Sequence, residues 1–246
     1  MQLIFRILRL IELHSAKFQG KGYGAVSISK EVDSIIKTLG SSPKIAIDIG
    51  GNVGDYTAEL LRRNPTVSVH VFEPSKFNVK KLKERFHAYP LIYIQPFAIG
   101  EKNENANLHY DFEGSGLASL TKRNLDHFGI NFERNEPIEV VRFEDYWINS
   151  LNRQVLDLVK LDIEGHELAA LRGFGEAIRH IRVLQFEFGG CNIDSRTFFQ
   201  DFWYFFANKN FDLFRITPLG LCKVTLYEEI DEFFNTTNFL AVQRNL

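Results

Sequence analysis

Cysteine is scarce in this chain: Cys191 and Cys222 are its two thiols, and their separation fits neither a metal-ligand spacing nor a disulfide framework. Free thiols suit a reducing compartment, so a cytoplasmic location is expected. Blocks of Lys/Arg are missing too. With 29 basic against 31 acidic residues and a net charge of −2, no electrostatic footprint for a nucleic-acid partner is present. No apolar run is long enough for a transmembrane segment. The best candidate, Met1 to Leu13, would form a helix of about 20 Å against a hydrocarbon core of roughly 30 Å. No basic residue precedes it, Arg6 and Arg9 interrupt it, and no small-residue cleavage site follows, so it reads as neither signal peptide nor span. Gln2, Arg6, Arg9 and Glu12 fall on one helical stripe. The expectation is a helix packed on the domain or pairing with a second copy in a homodimer; for a membrane surface that stripe carries few cations. Internal repeats and low-complexity linkers are also absent.

What is present is ordinary for a folded domain. Hydrophobic residues make up 45% and charged residues 24% of 246 positions, enough for one large α/β domain with a full core. Residues 1–40 read as an N-terminal helical extension packed on the domain, with an amphipathic helix over 29–39 closed by Gly40; residues 41–246 read as the domain itself. Buried strands are expected at 45–49, 67–72, 91–94, 155–161 and 183–188, with helices between them. An irregular stretch rich in glycine, polar and aromatic residues covers 105–145. A long aromatic helix, 196–208, and two late strands near 211–217 and 237–243 close the chain. Strands alternating with helices predict an α/β fold, a doubly wound and mostly parallel sheet of seven strands.

The most informative stretch is Ile45-Ala-Ile-Asp-Ile-Gly-Gly-Asn-Val-Gly54. A buried strand runs through Asp48 into a glycine turn (Gly50, Gly51, Gly54) and then a helix beginning near Tyr56 and Thr57. This is the nucleoside-binding corner of an open α/β sheet, but G-x-G-x-x-G is absent. A carboxylate before the turn repels a diphosphate and attracts a cation. S-adenosylmethionine, with an ammonium, a sulfonium and no phosphate, fits better than a dinucleotide. The second strand ends at Glu73-Pro74, where an acid meets ribose hydroxyls. Ligands in such sheets bind outside the C-terminal ends of the strands, so Asp48, Glu73, Asp162 and Glu187 should converge on one rim. Strand alternation puts Lys160 and Asp162 on one face, where each needs the other or a ligand as partner.

The chain resembles the FkbM-type methyltransferases, S-adenosylmethionine-dependent enzymes that methylate hydroxyl groups. The carriers are IDIGGNVGDYT (47–57), VFEPS (71–75), FAIGE (97–101), the region around VVRFEDY (140–146) and VKLDIEGHELAALRG (159–173). The resemblance implies a class I, Rossmann-like fold. It implies cofactor contacts from Asp48, Gly50, Gly51, Asn52, Gly54, Tyr56, Thr57, Glu73 and Pro74, with Ala98 and Ile99 on the adenine side. The small-residue loop 114–120, including Ser115, is implied as a lid over the reacting centre. VVRFEDY departs from the family's usual Thr-Leu-Asp and leaves Glu144 and Asp145 without a role.

An alcohol loses its proton as it attacks an activated methyl group, so a base within hydrogen-bond reach helps. Asp162 is the first candidate and His166 the second, with Lys160 orienting Asp162 or stabilising the developing alkoxide. Glu164 and Glu187 are expected to bind substrate. Asp162, Glu164 and Glu187 together would suit a hard divalent cation, but no spacing compels it and no metal is expected. The aromatic run 198–206 follows helical spacing and reads as a core face; Trp203 falls off that face and is the better substrate contact. Tyr110, Phe112, His127 and Phe128 are expected to shape the acceptor pocket. The expected function is an O-methyltransferase acting on a hydroxyl of a sugar, glycan or other small metabolite. Its rivals are an N- or carboxyl-directed methyltransferase, a non-catalytic S-adenosylmethionine-binding or scaffold protein, and, last, a dehydrogenase.

Overall fold

The structure, a computed structural model, describes residues 1–23 and 28–246. Two N-terminal helices, α1 (Gln2–Phe18) and α2 (Ile28–Leu39), precede a βα series: β1 (Ile45–Ile49), α3 (Asp55–Arg63), β2 (Ser68–Phe72), α4 (Lys76–Phe86) and β3 (Ile92–Gln95). Three strands follow, β4 (Ala98–Gly100), β5 (Glu104–Tyr110) and β6 (Arg134–Arg142), and then helix α5 (Phe143–Asn149). The series resumes with β7 (Leu156–Leu161), α6 (Glu167–Gly173) and β8 (Ile181–Phe188). Helices α7 (Cys191–Ser195) and α8 (Phe199–Ala207) lead to β9 (Phe211–Thr217), β10 (Gly220–Val224) and β11 (Thr237–Gln243).

The main sheet has eight strands in the order β10-β9-β11-β8-β7-β1-β2-β3. Strands β3, β2, β1, β7 and β8 are parallel neighbours, while β11 runs antiparallel between β8 and β9. The count exceeds the expected seven because β10 folds back on β9 as an antiparallel edge. Most of β10 is exposed, so it carries no buried apolar run to signal it. A second correction concerns residues 105–145. They are not merely irregular: β5 and β6 pair antiparallel, and β4 joins β6 in a separate three-stranded sheet. Within β5 only Leu108 is buried, and within β6 only Ile138 and Val140.

Two cores sandwich the main sheet. Helices α2, α3 and α4 cover one face through Val32, Ile35, Leu60, Leu61, Leu82 and Phe86. The other face carries α5, α6 and α8 on Ile47, Val159, Leu161, Leu184 and Phe186. Helix α8 presents Phe199, Phe202 and Phe206 inward, with Phe202 stacked on Phe186 at 5.1 Å, as its periodicity predicts. The N-terminal region divides. Helix α2 is integral to the core, whereas α1 is not packed on the domain as expected: every residue from Met1 to Ser15 is exposed and Ala16 is its one buried position. The apolar residues of α1 cover about half of its circumference and stay exposed.

Candidate active site

Strand order reverses beside β1, which has β2 on one side and β7 on the other. The C-terminal ends of β1, β2, β7 and β8 open into a cavity of about 280 Å³. Its first wall is the glycine turn after β1. Gly50 has φ +83°, and a Cβ there would lie 1.8 Å from the backbone oxygen of Asp162, so only glycine allows β1 and β7 to close at this point. Gly54, φ +87°, starts α3 against Phe86, where a Cβ would lie 2.4 Å from the ring. It shapes the turn without lining the cavity.

Asp48 stands where its spacing indicates but beneath the turn, not on the cavity wall. It is fully buried, accepts a hydrogen bond from Thr57 Oγ1 at 2.7 Å, and leaves Oδ1 without a partner. Burial raises its pKa against the opposing pull of Lys160. Asp48 and Thr57 therefore support the cavity from below. The register Asp48–Lys160–Gln185 across β1, β7 and β8 continues this polar floor. Tyr56 donates to Gln185 Oε1 at 3.1 Å, and Gln185 donates to Glu31 Oε2 at 2.7 Å. Asn238 donates to Glu31 Oε1 at 3.0 Å. Glu31, Gln185 and Asn238 escape a reading of the sequence because each comes from a segment with no motif; only their shared burial joins them.

Glu73 follows β2 and is buried. Its Oε2 accepts the Asn52 amide at 2.8 Å and its Oε1 the Ser75 amide at 2.9 Å, tying the two loops together. Burial outweighs these amides and pushes its pKa up to about 7. Beside it Asn78, unnoticed in the sequence, is buried with Oδ1 unpartnered on the cavity wall. Its place one turn into the helix after Glu-Pro was the available signal. Phe72, Pro74, Ala98, Ile99 and Leu108 supply the apolar side. The loop over residues 115–120 covers it through Ser115, Gly116, Ala118, Ser119 and Leu120.

On the rim, Lys160 and Asp162 form the pair that alternation requires, Nζ to Oδ2 2.8 Å. Burial works to lower the Lys160 pKa, yet the carboxylates of Asp162, Asp48 and Glu31 together hold it above its ordinary value. Asp162, Glu164 and Glu187 bring carboxylate oxygens within 4.8 Å of one another. Burial and Asp162 push Glu164 up to about 8, and burial with Asp162, Glu164 and Glu167 raises Glu187 well above the usual range. Glu164 has φ +55°, an uncommon backbone for a side-chain-bearing residue, and is fixed by Arg123 at 2.5 Å and by Ser119 Oγ on its backbone oxygen at 2.8 Å. Glu167 accepts the amides of Ile163 and Gly165 and closes the turn into α6.

Two expected site residues lie elsewhere. His166 is outside the cavity lining: it faces Gly100, whose missing Cβ would be 3.7 Å from Nε2, and burial lowers its pKa. Trp203 packs edge-on against Tyr204 beside the apolar core, because α8 covers the sheet face and not the strand ends. Tyr110 and Phe112 border a second cleft that shares Ser115 and Ala118 with the cavity, and His127 and Phe128 pack on each other at a tilt outside both linings.

The assembled lining holds six carboxylates, Glu31, Asp55, Glu73, Asp162, Glu164 and Glu187, against Lys160 as the one basic residue among the described residues. Residues 48–216 match the methyltransferase FkbM domain. Methyltransferase 1 of Beauveria bassiana is 24% identical over 53% of this chain and 58% of its own length. The 2-O-methyltransferase NoeI of Sinorhizobium fredii is 22% identical over 63% of this chain and 67% of its own. In structure, an FkbM methyltransferase from Methylobacillus flagellatus superposes with a TM-score of 0.50 at 17% identity, over 81% of this chain and 44% of that one. This chain thus spans only about half the length of the first and the last of these proteins. With more than half of its residues inside the domain match, the chain belongs to the FkbM methyltransferase family.

Proposed function

We propose that this chain is an S-adenosylmethionine-dependent O-methyltransferase acting on a hydroxyl of a sugar or other small metabolite. The observation that carries the reading is the make-up of the cavity, six carboxyl groups and a single lysine already paired to Asp162 among the described lining residues. Such a lining offers a diphosphate no unpaired cation and suits a ligand bearing cations and ribose hydroxyls. The residues fit that ligand. Glu73 keeps lone pairs free for hydroxyl donors, and the buried, unpartnered Oδ1 atoms of Asn52 and Asn78 offer further acceptors. Phe72, Ala98, Ile99 and Leu108 suit an adenine face. The hydroxyl acceptor is supported by the name of the Sinorhizobium relative, a 2-O-methyltransferase.

When bound, S-adenosylmethionine supplies a methyl group already activated on a sulfonium. The protein's remaining work is orientation, exclusion of water and removal of the acceptor's proton. In this reading Asp162, steadied by Lys160, accepts the hydrogen bond of the acceptor hydroxyl. Glu187, whose surroundings disfavour its charged form, stands protonated beside it and can donate a hydrogen bond, while the hydroxyl proton passes to Asp162. The loop 115–120 keeps water out.

Calorimetric titration with S-adenosylhomocysteine, with NADH as control, tests the donor site; micromolar binding of the former alone is expected. Asp162→Asn should keep that affinity and lose at least about 100-fold in turnover on hydroxylated sugars, the usual scale of proton-transfer catalysis. NADH binding, or normal single-turnover rates in Asp162→Asn, would overturn the assignment.

A further inference from the structure

Among the described residues, helix α1 is the one long element whose apolar side chains the fold leaves uncovered. Its C-terminal end is anchored. A Cβ on Gly20 would lie 2.6 Å from the backbone oxygen of Ile216, Lys21 Nζ donates to the Ile230 carbonyl at 2.7 Å, and the Gly22 amide donates to Thr237 Oγ1 at 3.1 Å. Before that anchor the helix stands free, with Leu3 70%, Phe5 66% and Ile11 60% exposed. At about 100° per residue, Leu10, Leu3, Ile7, Ile11, Ile4 and Leu8 sweep about 160° of the circumference, with His14 and Ser15 inside that arc toward the anchored end and Phe5 lying beyond Glu12. Arg9, Arg6 and Lys17 occupy about 80° on the opposite side, shared with Leu13, and Glu12 is the only acid in the helix.

We propose that α1 is a membrane-surface helix that lies in the headgroup region of an anionic lipid bilayer. The width of the apolar arc selects this occupant. Pairing with α1 of a second copy would bury a narrow seam, two positions in seven, and leave most of the arc in water. A bilayer interface takes up a broad arc at once and leaves a cationic strip facing the headgroups. Arg6, Arg9 and Lys17 match that strip in sign, and their aliphatic stems can follow the apolar boundary while the charges stay hydrated. Among the described residues no helix is long and apolar enough to cross the bilayer, so α1 would lie along it. This inference stands apart from methyl transfer and does not need it.

Sedimentation of the whole protein with vesicles of phosphatidylcholine containing about one-third phosphatidylserine is the test. Binding should be at least tenfold tighter than to phosphatidylcholine alone and should weaken with salt. Phe5→Glu combined with Ile11→Glu should lose at least tenfold in vesicle binding, and Arg6→Gln with Arg9→Gln should remove the anionic preference. Both variants change exposed residues, so circular dichroism and the unfolding temperature should be unchanged. Absence of vesicle binding would overturn the proposal. So would a dimer, by light scattering, that Phe5→Glu/Ile11→Glu dissociates, since a second copy would then cover the helix.

Discussion

Glu73 joins the two loops that frame the cavity through the amides of Asn52 and Ser75, and burial lifts its pKa to about 7. A hydroxyl donor on this carboxylate favours the charged form. Binding of S-adenosylhomocysteine should therefore strengthen between pH 6 and pH 8 and release a proton, measurable by calorimetry in buffers of different ionisation enthalpy. Glu73→Gln should weaken binding at least tenfold and flatten the pH dependence; a steep profile in that variant would transfer the effect to Glu164, pushed up to about 8. At this scale the sequence was legible in position along the strands but not in depth. Asp48 and Glu73 both sit at strand ends, yet Asp48 turns under the glycine loop to Thr57 while Glu73 reaches the cavity. Spacing gives the first property, and packing of the turn against Val71 and Asp162 decides the second.

Among the elements, the loop after β5 and helix α8 make opposite demands. The loop owes its position to Arg123, held at 2.5 Å from Glu164 and 3.5 Å from Asp194. Arg123→Ala should raise hydrogen exchange over 111–121 and cost about 3 kcal/mol of stability, as for a buried pair broken on one side. Helix α8 contributes to the core only. Phe202→Ala should cost about 3–5 kcal/mol in denaturant unfolding and leave S-adenosylhomocysteine affinity unchanged in the folded protein. The aromatic helix was readable because its faces repeat with the helical period. Strands β5 and β6 were not, because their buried positions are few and separated by exposed ones. Nor could α1 be told from a packed helix, since an apolar arc reads the same whether or not anything covers it.

For the whole molecule, the burial of carboxylates sets the pH dependence of stability. Glu73 and Glu167 rise to about 7 and Glu164 to about 8 from 4.5. The folded state holds protons that the unfolded state has already released above about pH 4.5, so stability falls as pH climbs toward about 8. Glu59 works the other way: hydrogen bonds from Arg62 and Arg63 lower it to about 2, and its contribution fades as pH drops below about 4.5. Thermal unfolding should accordingly peak near pH 5 and decline toward pH 8; a maximum above pH 7 would contradict these assignments. The parallel strands were legible from apolar runs, as were the two late strands. The polar floor was not, since Glu31, Tyr56, Gln185 and Asn238 meet only when α2, α3, β8 and β11 are assembled.

The small sheet has a further consequence. Gly100 at the end of β4 pairs in register with Arg142 at the end of β6, so the chain leaves the βα series and returns to it at adjacent points. Everything between them forms a cassette. It carries Leu108 and the loop 115–120 to the cavity, so a change in its length would alter that cover while the turns after β1 and β2 stay in place.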